Sequence, residues 1–304
     1  MYPVRVAAAA LAVLLTLSIG AAGAPPATPL AVAAGPYTDS PVAVRTLPGA
    51  GDRPVPVTIW YPAISAGSPQ PRTGPFPVVL YSHGLRSLPA LHADLTSRWA
   101  AAGFVVVAPT YPHTSRDAPR FSRADVVNQP TDAWRVLHRL ARLNADETDP
   151  LAGTLDLNRV AAAGHSAGGH TTTGMFTGGR FAGGVLAEPP IRLVAAVVIA
   201  GRALGGAFRG PAARVLFVHG DADPIVPIGR ARRAYAALRW PRGFLTLPGQ
   251  GHGAYLGAGK PGFDVVLATT TDFLRWTLRD DAAARHRMSA RASVPGTSRF
   301  DEEW

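Results

Sequence analysis

The chain has 304 residues, 47% of them hydrophobic, and 30 Lys and Arg against 20 Asp and Glu give a formal charge of +10. That length can bury one large core. The absence of cysteine excludes thiol catalysis, thiolate metal sites, haem attachment through cysteine and disulfides. Nearly all the positive charge is arginine, with Lys260 the one lysine. Arginines such as Arg230, Arg232 and Arg233 are spread along solvent faces without a nucleic-acid motif, so no nucleic-acid partner is expected.

The amino terminus reads as a targeting segment over residues 1–34. Arg5 precedes an apolar run from Val6 to Ile19, and small residues follow at Gly20 to Ala24 and Ala31 to Gly35. Cleavage is expected after Ala22, Ala33 or Ala34, because a cut after Ala24 would leave Pro25 first. An uncleaved anchor is the alternative, since the run is near the lower length limit for a membrane span. Either way the protein is expected to be secreted or held at the cell envelope. The sequence does not indicate an oligomeric state.

From Val55 onward apolar strands alternate with helical stretches. A strand over 55–61 is followed by one over 77–82, Pro-Val-Val-Leu-Tyr-Ser, which ends in His83-Gly84-Leu85. A helix over 90–102 leads to a strand over 104–109. Segment 112–130 is the longest irregular stretch and is either a wall of the pocket or an ordinary surface loop. A helix over 131–143 precedes a strand over 159–164.

That strand runs into Gly164-His165-Ser166-Ala167-Gly168 and then a helix over 167–176. A serine between glycines on a sharp strand-to-helix turn is exposed for nucleophilic attack, because only glycine leaves the backbone room to turn there. Ser166 is therefore the candidate nucleophile. His165 is expected to pack beside the turn. Segment 174–192, containing Gly and Pro, is a second candidate pocket wall.

A strand over 193–200 is joined to one over 214–219 by about 13 residues, too few for a large cap domain, which predicts an open site. The second of these strands breaks into Gly220-Asp221-Ala222-Asp223-Pro224. Pro224 biases Asp223 away from helical geometry and Gly220 frees the turn, which favours Asp223 as the acid of a catalytic triad, with Asp221 the alternate. Two solvated turn aspartates are the bland alternative. A helix over 228–239 and a strand over 243–248 follow, and the strand opens into Gly251-His252-Gly253. A histidine between glycines on that loop can swing toward a serine distant in sequence. Of the other histidines, His92 and His138 fall in helices and His286 near a polar end, while His113 and His170 are candidate pocket-lining residues. Leu85, Tyr111 and Arg202 are placed near the same pocket. A helix over 263–279 closes the catalytic domain, set at 35–280, and residues 281–304 read as a polar, mobile tail.

The alternation implies an α/β fold, a mostly parallel sheet with helices on both faces. Together, Ser166, Asp223 and His252 in that order, with Pro77-Val-Val-Leu-Tyr-Ser-His-Gly84, Trp99-Ala-Ala-Ala-Gly-Phe-Val-Val-Val-Ala-Pro109 and Arg123-Ala-Asp-Val126, resemble the α/β-hydrolase superfamily from about Val55 to Leu278. Within it the chain is similar to the bacterial platelet-activating-factor acetylhydrolase and dienelactone-hydrolase-like group. Dienelactone hydrolases proper use a cysteine nucleophile, so serine at 166 points to the esterase and lipase kind of chemistry. The resemblance implies that Leu85 and Ala167 supply the two backbone N–H groups of an oxyanion hole. It implies a serine esterase acting on small or lipid-like carboxylic esters, with short acyl groups favoured by the missing lid. Polyester and thioester hydrolysis are possible on the same residues, and an inactive envelope-binding protein is the reading from another class. No cofactor and no metal are expected.

Overall fold

The structure is a computed structural model and describes residues 40–177, 191–203 and 208–304. Its strands are β1 (Val42–Leu47), β2 (Val57–Pro62), β3 (Phe76–Ser82), β4 (Val105–Pro109), β5 (Leu155–His165), β6 (Leu193–Ile199), β7 (Arg214–Gly220), β8 (Arg242–Leu247) and β9 (Arg299–Glu303). They form one nine-stranded sheet in the order β1-β2-β4-β3-β5-β6-β7-β8-β9. The inner strands from β4 to β8 pair parallel, while β1, β2 and β9 add antiparallel edges. This is the mixed, mostly parallel sheet of an α/β-hydrolase fold.

The helices are α1 (Ala93–Ala101), α2 (Gln129–Ala145), α3 (Ala167–Gly174), α4 (Gly229–Ala237), α5 (Phe263–Arg279) and α6 (Ala282–Arg291). Every residue of β3 is buried because both faces of the sheet are covered. Val78 and Leu80 join a core with Leu137 and Leu140 of α2 and Tyr235 of α4. Val79 and Tyr81, pointing the other way by the two-residue period of a strand, meet Trp99 of α1 and Phe273 of α5. This two-sided burial is why the strand reads as a continuous apolar run rather than an alternating one. Trp99 is fully buried, and truncating such a side chain to alanine costs about 3–5 kcal/mol.

Residues 281–304 correct the expectation of a mobile tail. Asp281 caps α6 by accepting the Ala284 amide at 2.9 Å, and Ala284, Met288 and Ala292, spaced by four, bury one face of the helix in the core beside α5. Beyond it β9 pairs with β8 from Arg242↔Glu303 to Thr246↔Arg299. Trp304 reaches Trp276 at 5.0 Å and Phe273 at 5.8 Å between ring centroids. The polar composition reflects a solvated edge strand and a helix with a narrow buried stripe of small residues. The fold therefore continues through Trp304. At the other edge β1 begins the sheet well before Val55, a strand absent from the sequence reading.

The site is positioned by topology. From β3 the chain moves outward to β4 on one side, then returns to place β5 on the other. At such a reversal of strand order the helices diverge and leave a crevice outside the carboxyl ends of the two strands, here just after Ser82 and His165.

Candidate active site

Ser166 lies between β5 and α3 with φ 57° and ψ −116°, a backbone conformation that non-glycine residues rarely adopt and that costs about 1–3 kcal/mol. The turn holds because its neighbours are glycine. A Cβ on Gly164 would come within 2.4 Å of the Gly168 carbonyl, and one on Gly168 within 1.9 Å of the Ser82 carbonyl. The end of β5, the first turn of α3 and the end of β3 are thus in backbone contact. The Ser166 amide donates to the Ile199 carbonyl at 2.9 Å, which ties the turn to β6.

The structure brings Ser166, His252 and Asp223 together across 86 and 29 residues of sequence separation. Ser166 Oγ is 2.8 Å from His252 Nε2, and His252 Nδ1 is 2.8 Å from Asp223 Oδ2. A carboxylate only accepts, so Nδ1 carries the proton and Nε2 presents its lone pair to the serine hydroxyl. Asp223 is buried and its other oxygen accepts the Ile225 and Val226 amides at 2.8 and 2.9 Å. Burial works to raise its carboxyl, and the hydrogen bonds from His252 and the two amides outweigh that, holding it below the ordinary carboxylate value. Asp221 is exposed and turned elsewhere, accepting the Gly249 amide at 2.7 Å and lying 3.3 Å from Arg299. Of the two aspartates, the geometry places only Asp223 against His252.

Three further histidines frame this arrangement. His165 Nε2 donates to the His252 carbonyl at 2.5 Å and so fixes the loop that carries the imidazole. The sequence reading gave it packing only, and its place inside the pentapeptide carries no signal of that bond. His219 Nε2 donates to the Val226 carbonyl at 2.8 Å and lies 3.2 Å from Asp223 Oδ2, bracing the turn of the acid. Its position at the end of a buried strand, four residues before an aspartate, was a usable signal. His83 Nε2 accepts the Tyr111 amide at 3.2 Å, leaving Nδ1–H to donate to the Gly84 carbonyl at 2.7 Å. Because the peptide is planar and trans, a Gly84 carbonyl held toward His83 turns the Leu85 N–H the opposite way. Burial pushes His83 down to about 4 and His165 to about 3, keeping both rings neutral.

Leu85 and Ala167 line, with Ser166, His170 and His252, a cleft of about 670 Å³. Neither amide donates to a protein acceptor among the described residues. Segment 112–130 does form a wall: its 3₁₀ turn, Arg123–Asn128, contributes Arg123, Val126 and Val127. The turn after Asp223 adds Ile225 and Val226. Arg202 also lines the cleft, whereas Tyr111 is buried beneath it with its hydroxyl 2.8 Å from Ser82 Oγ, and His113 faces the Arg120 carbonyl at 3.2 Å. Segment 174–192 falls mostly outside the described residues, as does the expected leader over 1–34. Among the described residues no group of three or more histidine, aspartate or glutamate side chains is arranged to hold a metal, and no helix is long and apolar enough to cross a membrane.

Residues 29–179 match the family model described as Chlorophyllase. That stretch carries β3 with Leu85, the Ser166 turn and α3, and it ends before the loops of Asp223 and His252. No curated protein matches the chain. With the mostly parallel sheet, the match shows that the chain belongs to the α/β-hydrolase superfamily and is, in the broad sense, an ester hydrolase.

Proposed function

We propose that the chain is an exported serine hydrolase that cleaves carboxylic esters through an acyl-Ser166 intermediate. The observation that carries this reading is Ser166 Oγ at 2.8 Å from a His252 imidazole whose other nitrogen is bound to buried Asp223. Serine is a poor nucleophile at neutral pH, and His252 Nε2 is placed to take its proton as Oγ attacks the ester carbonyl. Asp223 fixes the tautomer and stabilises the imidazolium that forms. The Leu85 and Ala167 amides receive the oxyanion, each donor of this kind being worth about 3 kcal/mol in the transition state. The imidazolium then protonates the departing alcohol, and a water activated by His252 hydrolyses the acyl-enzyme. Export rests on the charged and apolar pattern of residues 5–24.

The test is covalent labelling by a fluorophosphonate probe together with an acyl-chain-length series of p-nitrophenyl esters. Chlorophyll belongs in the panel because the family is named for it. Labelling of wild type and none of Ser166→Ala, with turnover lost in the variant, is the expected result. An unlabelled wild-type serine would sink the reading and leave a binding protein on a hydrolase fold.

A further inference from the structure

Four arginines, Arg86, Arg123, Arg202 and Arg230, stand around the Ser166 cleft, and no acidic side chain is among its described lining residues. None of the four forms an ion pair among the described residues. Some guanidinium groups elsewhere are held by carboxylates, as in Arg45 with Asp149 at 2.7 Å and Arg287 with Asp272 at 2.8 Å.

Two carboxylates beside lining residues in the chain, Asp125 and Asp223, are both committed. Asp125 sits in the same turn as Arg123 but is buried and bound to Arg53 at 2.6 Å and Asn128 at 2.7 Å. Asp223 is held behind His252. Arg86 is braced with its guanidinium 3.9 Å from the centre of the Phe121 ring. A concave site lined by one sign of charge between low-dielectric walls concentrates ions of the other sign. Guanidinium groups bind carboxylate and phosphate through two parallel hydrogen bonds.

Two further observations define the ligand. His170, nine-tenths buried in the cleft wall, has a ring Nδ1 with no hydrogen-bond partner among the described residues. Val127 and Ile225, 56% and 67% exposed, form an apolar rim. Uncompensated cations, an unpartnered polar atom and an apolar rim fit one substrate class. We infer that this cleft selects amphipathic esters that carry an anionic group, carboxylate or phosphate, close to the scissile bond. The inference rests on the proposed esterase reading and names its substrate class.

Matched probes test it. Mono-p-nitrophenyl glutarate against p-nitrophenyl valerate places the charge on the acyl side, and p-acetoxybenzoate against phenyl acetate places it on the alcohol side. In at least one pair the anionic member should have a kcat/KM about tenfold higher at low salt, through KM. The ratio should collapse as salt rises to about 0.5 M, and it should fall about tenfold in the Arg202→Gln/Arg230→Gln variant. Both arginines are exposed, so folding is not at risk. Calorimetric binding of the same pairs to Ser166→Ala reads the preference without turnover. Equal or weaker binding of both anionic members overturns the inference. Absence of turnover by wild type while Ser166→Ala still prefers the anionic member overturns the esterase reading instead.

Discussion

Acidification is expected to destabilise the folded chain through three histidines around the site. Burial pushes His83 and His92 down to about 4 and His165 to about 3, whereas the same rings titrate near 6.5 in an unfolded chain. Between those values the unfolded state binds protons that the folded state does not, so stability is full above about pH 7 and falls as pH drops from 6.5 toward 4. Each ring contributes RT ln(1 + 10^(6.5 − pH)) to the unfolded state, about 1.7 kcal/mol more at pH 5 than at pH 6.5. Together they cost roughly 4–5 kcal/mol, against a typical domain stability of about 5–15 kcal/mol. His170 and His219 are lowered by burial too and act in the same direction. The depressed carboxylates, Asp223 among them, lose their contribution only at lower pH, as they protonate. The assay is urea unfolding at fixed ionic strength between pH 7.5 and 5, read as the midpoint at constant m. His92→Gln keeps a hydrogen-bonding partner for the Tyr81 hydroxyl, 2.7 Å from Nδ1 in the parent, while removing the ring; it should abolish about a third of the drop assigned to these three rings. A stability constant within about 1 kcal/mol over this range would refute the reasoning, because it would mean that these rings protonate as easily inside the fold as outside it.

Asp223→Asn should lower kcat by about 10³–10⁴ by reversing the His252 tautomer, whereas Asp221→Asn should stay within a few-fold, as steady-state kinetics on one p-nitrophenyl ester will show. Gly168→Ala forces a Cβ to 1.9 Å from the Ser82 carbonyl, and because backbone cannot yield there it should cost more than about 3 kcal/mol or abolish soluble expression. Trp304→Ala should cost about 2 kcal/mol by emptying the contact with Trp276 and Phe273, measured by urea unfolding, where a mobile tail would give no change.

The sequence made the inner sheet legible because strands buried on two faces are continuous apolar runs, and each expected strand from 55–61 to 243–248 overlaps one observed. Ser166 was legible for a different reason. The turn needs glycine at 164 and 168 on steric grounds, so the chemistry left a backbone requirement in the sequence. Edge elements carry no such signature. In β9 the side chains of Arg299, Asp301, Glu302 and Glu303 face solvent, and the pairing that orders them is between backbones. In α6 the buried stripe is Ala284 and Met288, too slight a pattern to separate from a polar tail. The bonds made by His165 and His83 were hidden because each partner is a main-chain group, His252 carbonyl and Gly84 carbonyl, and every residue has one. The cationic cleft was hidden because its arginines come from four separate segments, and only the fold distinguishes them from arginines on solvent faces.

Strain and suppressed charge gather at one edge of this sheet. Of the five non-glycine residues with positive φ among the described residues, Arg86 follows β3, Ser166 ends β5 and Ala200 ends β6. These are adjacent strands, so the three sit side by side at the crevice where the strand order reverses. The same edge gathers buried histidines: His83, His165 and His219 each bind a backbone carbonyl of the loops that place Leu85, His252 and the Asp223 turn. A chain selected for stability alone would have no use for several strained residues and desolvated imidazoles in one place. Each of these imidazoles donates to its partner loop from one ring nitrogen, and it is burial, working against that bond, that keeps the ring neutral. The acid sensitivity of the fold and the geometry of the Ser166 site are consequences of the same groups, and a substitution that relieved the first by removing His165 or His83 would loosen the second.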